Sequence, residues 1–135
     1  MSKTNKVLFP TDKEDLGVCG IVTEFYGEEQ EKGNIFDSFK YLHEDENGRA
    51  PVELAKALRN GFEQLEDILR KHNLDHNLKK IRLSLEKEKS QYASSIVPAE
   101  SSELAWFMAF AGAAEELMCN KKRDMLIVAT GQLIF

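Results

Sequence analysis

VPAESSELAWFMAFAGAAEEL, residues Val97 to Leu117, is the stretch whose reading decides the fold. It opens on a polar knot, Glu100-Ser101-Ser102-Glu103, and then turns almost wholly apolar. From Ser102 or Glu103 to about Cys119 the pattern predicts a helix whose apolar residues cover nearly every face until Glu115 and Glu116. Such a helix is expected to be buried on all sides over its N-terminal part. Ser101 or Ser102 is placed to cap it, and Glu103 stands at the positive end of the helix dipole. Asn120 and Lys121-Lys122-Arg123 close it, with basic residues at the negative end.

The flanking segments read in both directions from this helix. Pro51 suits the first turn of an earlier helix, where its missing N–H is not needed. From there Leu54, Ala55, Leu58, Phe62, Leu65, Ile68 and Leu69 recur at helical spacing to about Lys71. Glu53, Lys56, Arg59, Glu63 and Glu66 are read onto the opposite side. Gly61 costs this helix about 1 kcal/mol relative to Ala and is read as the mark of a close crossing. Lys80 to Glu86 alternates strictly, with Ile81, Leu83 and Leu85 on one face, as a half-buried strand does. Leu16 to Tyr26 reads as a strand on its β-branched and aromatic content, and Asn34 to His43 as a second one that pairs with it in a long hairpin. Met125 to Ala129, MLIVA, reads as a buried strand, interrupted by Thr130-Gly131-Gln132 before Leu133-Ile134-Phe135. The fold class is therefore α+β (α/β-like), a mixed β-sheet with two main helices on one face. Residues 1–15 read as an N-terminal tail and 16–135 as a single domain, in keeping with a chain of 135 residues.

Composition narrows the function classes. The chain is 42% hydrophobic and 30% charged, which suits a folded globular protein and not a disordered one. No apolar run reaches the ~20 residues that cross a bilayer, and MSKTNKVLFPTDKED lacks a signal-peptide core, so membrane association is not expected and a cytoplasmic location is. A net charge of −5 argues against a nucleic-acid partner, because phosphate binding needs concentrated Lys and Arg. One local basic cluster remains, made of Lys79, Lys80, Arg82, Lys87 and Lys89. Cys19 and Cys119 lie in apolar surroundings a hundred positions apart and read as buried free thiols.

The order of these segments resembles the proteolytic domain of Lon proteases, a fold shared with the C-terminal domain of RadA-type ATPases and with ComM-like proteins, and related to a ribosomal-protein-like β-α-β arrangement. Four stretches carry the likeness. GVCGIVTEFYG (Gly17–Gly27) is similar to the first strand of that domain, and PVELAKALRNGFEQLEDILRKHNLD (Pro51–Asp75) to its first long helix. KKIRLSLE (Lys79–Glu86) is similar to its "k-d-I-h-I-h-v-P" strand. Val97 to Leu117, followed by Val128-Ala129-Thr130-Gly131-Gln132-Leu133, is similar to its buried helix and the "TGE-i-t-l" strand after it. The resemblance implies an ATP-dependent protease-related module, built into an oligomer or a larger assembly.

It also implies where a catalytic serine would stand, in a "K-D-G-P-S-A-G" turn just before the buried helix. Here the turn is Ala99-Glu100-Ser101-Ser102-Glu103-Leu104-Ala105, closer to the serine-free RadA-like form "E-P-a-a-D-L-A". The nucleophile position falls on or next to Ser102, with Ser101 the lesser candidate, while Glu100 and Glu103 read as vestigial-site or capping carboxylates. A Ser–Lys dyad also needs a lysine with its pKa lowered by burial, within hydrogen-bond reach. The resemblance places that lysine after the "TGE" strand, in a strand and helix that the domain is expected to lack here. Lys121 and Lys122 cannot replace it, at the far end of a helix roughly 25 Å long.

The remaining candidates are few. His72 and His76 are four apart, as in helix-borne zinc pairs, but Asn73 and Leu74-Asp75 predict that the helix ends between them. His43-Glu44-Asp45-Glu46 reads as a solvated loop, and Trp106, Phe107 and Phe110 as core. No Walker-type glycine loop, Rossmann fingerprint or G-x-S-x-G elbow occurs, so neither a metal nor a cofactor is expected. The leading reading is a non-catalytic Lon-like domain that packs in an assembly or binds a partner, the apolar end LIVATGQLIF favouring self-association. The alternatives are a serine peptidase using Ser102 with a lysine supplied from outside the chain, and weak nucleic-acid binding through Lys79–Lys89.

Overall fold

Alternation along three strands builds one apolar face. A computed structural model describes residues 4–10, 17–30, 49–85, 102–119, 127–131 and 133. Among them β1 (Thr4–Pro10), β2 (Val18–Phe25), β3 (Ile81–Leu85) and β4 (Ile127–Val128) form one sheet in the order β3-β2-β1-β4. β2 runs antiparallel to both β1 and β3, while β4 is parallel to β1, so the sheet is mixed. Register aligns Phe9 with Cys19, Val7 with Ile21, and Thr23 with Leu83, and all six are buried. Because side chains two apart share a face, these residues form the floor of the core.

Against that floor lies α2 (Glu103–Cys119), in contact with β1, β2 and β3, and against α2 lies α1 (Arg49–Arg70). Sheet, α2 and α1 are therefore stacked, which explains why α2 is apolar on nearly every face while α1 is amphipathic. Trp106 holds the layers together: its ring meets Phe9 of β1 at 6.1 Å between centroids, and its backbone meets α1 at Gly61. Beside it Phe62 of α1 meets Phe110 of α2 edge to face at 5.2 Å, the geometry aromatic quadrupoles favour. A Cβ on Gly61 would stand 2.9 Å from the backbone nitrogen of Phe107 and 3.2 Å from both the carbonyl carbon and the Cβ of Trp106. Gly61 is the close crossing that the sequence predicts.

The end of α1 follows from Asn73, whose φ of 58° places it in the left-handed region that Asn tolerates. The Leu74 N–H donates to the Leu69 carbonyl at 3.0 Å and the Asn73 N–H to the Arg70 carbonyl at 3.1 Å. This is the Schellman pattern that closes a helix. A 3-10 helix (Asp75–Lys80), anchored by the buried Leu78, then leads into β3.

The structure thus has the expected α+β class, with both main helices and the strands at Leu16–Tyr26 and Lys80–Glu86 where the sequence places them. Several expectations are corrected. Thr4–Pro10, read as part of a tail, is a strand inside the sheet. At Ile21–Thr23 both edges of β2 are taken by β1 and β3, while Asn34–His43, the expected second strand of a hairpin, lies outside the described residues. Within α1, Glu66 is 3% exposed instead of solvated and Ile68 is 49% exposed instead of buried. The buried arc of α1 is thus shifted toward Glu66 over its last two turns, and Arg70, itself more than half exposed, reaches over Glu66 with a 3.0 Å ion pair. Cys119 is exposed at the end of α2, while Cys19 is buried as expected. In α2 itself Leu104, Phe107 and Met108 are only half-buried, since the sheet and α1 cover two sides of the helix and not every side. Val128, read as part of a buried strand, is 59% exposed: it stands beside Leu8 on the strand that ends the sheet among the described residues.

Candidate functional site

The corner that the sequence singles out is the start of α2, where three elements meet. Ser102 occupies the cap position: it precedes Glu103, and its carbonyl accepts the Trp106 N–H at 3.1 Å, the first bond of the helix. Ser102 is fully buried. Glu103 is buried as well, in the first turn, where a carboxylate is favoured by the helix dipole. From α1 the Asn60 side-chain amide donates from Nδ2 to Glu103 Oε2 at 2.9 Å. The third element is the segment after β4. The Ala129 N–H donates to the Leu8 carbonyl at 2.9 Å, which continues the parallel pairing with β1. Two residues on, the Gly131 carbonyl accepts the Leu104 N–H at 3.1 Å, one of the donors at a helix start that has no partner within the helix. Gly131 has φ of 145°, a conformation that favours glycine, and a Cβ there would face the Leu104 side chain at 3.6 Å.

Chemically, the described part of this corner pairs polar groups with one another. A serine nucleophile has to meet its substrate, and the group that activates it has to approach the same oxygen. Ser102 has no accessible surface in this conformation, so a substrate does not reach its hydroxyl from solvent. Glu103 likewise spends a carboxylate oxygen on Asn60. Ser101 and Glu100 lie outside the described residues.

The other candidates disperse. Lys79 and Lys80 belong to the 3-10 helix and Arg82 to β3, all three half-buried, while Lys87 and Lys89 lie outside the described residues. The backbone of the first two is engaged, with the Gln30 N–H donating to the Lys79 carbonyl at 2.8 Å and the Tyr26 N–H to the Lys80 carbonyl at 2.7 Å. Arg82 stands across the ladder from Glu24, so the basic run meets an acidic residue on the same face of the sheet. His72 and His76 are both exposed, and the Asn73 turn puts them in different segments, as the sequence predicts. Among the described residues no group of three His, Cys, Asp or Glu side chains is arranged to hold a metal ion. His43 to Glu46 and Lys121-Lys122 lie outside the described residues.

Comparison of the chain with family models, with curated proteins and with solved structures finds no match. Among the described residues no helix is long and apolar enough to cross a membrane.

Two participants escaped sequence reading. By residue type Asn60 is one polar residue among several along α1, and nothing local distinguishes it from Arg59 or Glu63. Its only signal is its neighbour Gly61, since a residue beside a close crossing is within reach of the other helix. Leu8 enters through its backbone, which no residue type reveals.

Proposed function

We propose that this chain is a non-catalytic module of the Lon proteolytic-domain type, whose Ser102 corner is a structural joint and whose work is assembly with further copies or with a larger protein in the cytoplasm. The observation that carries this reading is the complete burial of Ser102 at the helix cap, beside a Glu103 already engaged by Asn60. The resemblance supplies the assembly role, and the sheet edge supports it. β4 is the outermost strand on its side among the described residues and presents Val128, 59% exposed. Exposed apolar side chains beside a strand edge are a template for pairing with another chain. Light scattering over a wide concentration range tests the assembly role. A mass that rises to a defined multiple of the chain, and falls back in Val128→Lys, is the expected result. A constant monomer mass at high concentration would overturn it.

A further inference from the structure

We draw no further inference here: the strongest candidate, the apolar surface left by Ile68 on α1 and Met118 at the end of α2, is an unpartnered face, and nothing in the structure shows what covers it.

Discussion

Asn60 and Glu103 lie 43 positions apart in the chain, yet the amide of one donates to the carboxylate of the other at 2.9 Å. The bond ties α1 to the first turn of α2 one residue away from the tight crossing at Gly61. It is partly buried, so each group depends on the other for the hydrogen bond that burial denies it from water. Removing one partner should therefore cost more than removing both in proportion. Asn60→Ala and Glu103→Ala are each expected to lose about 1–3 kcal/mol of unfolding free energy. The double variant should fall short of their sum by about 0.5 kcal/mol or more, as contacting residues do. Denaturant unfolding of the four proteins measures this coupling, and strict additivity would mean that the contact contributes nothing.

Gly61 offers a sharper packing test. In an exposed helix Gly→Ala gains about 1 kcal/mol. Here the added methyl would meet the Phe107 backbone nitrogen at 2.9 Å, and backbone cannot rotate away as a side-chain tip can. Overpacking of this kind costs about 1–3 kcal/mol, enough to reverse the helix gain. Gly61→Ala should lower the denaturant midpoint, and a raised midpoint would show that the helices are further apart than described.

Asn73 closes α1 in a left-handed conformation, and its replacements should separate by backbone freedom alone. Asn73→Gly is expected to keep or slightly raise stability, because glycine adopts this region without penalty. Asn73→Ala should lose about 1 kcal/mol, the scale of the left-handed penalty for a residue with a Cβ. Thermal unfolding followed by circular dichroism ranks the three. Equal midpoints would count against the Schellman closure.

How much of this was legible beforehand depends on where the deciding partner lies. α1, α2 and β3 announce themselves because their burial repeats within the segment, as Leu58, Phe62, Leu65 and Leu69 do in one helix and Ile81 and Leu83 in the strand. β1 did not, because its buried apolar pair is just Val7 and Phe9 among the described side chains and Pro10 follows at once, so a short strand resembles a tail. Its place in the sheet is decided by pairing with β2 on one side and with β4, remote in sequence, on the other. Glu66 and Ile68 were misplaced for a related reason: residue type says which side of a helix prefers water, whereas the neighbouring element decides which side receives it. Of the candidate corner, the cap position of Ser102 and the placement of Glu103 in the first turn could be read locally. The bonds to Asn60 and Gly131 could not, since each joins residues that only the packing of α1, α2 and β1 brings together.

The central claim is that Ser102 is a buried cap and not a nucleophile. Treating the folded chain with a serine-reactive phosphonate probe and weighing the intact protein tests it directly. The account predicts no adduct on Ser102, because the probe cannot reach a hydroxyl with no accessible surface. An adduct that forms on the folded chain and disappears in Ser102→Ala would contradict it.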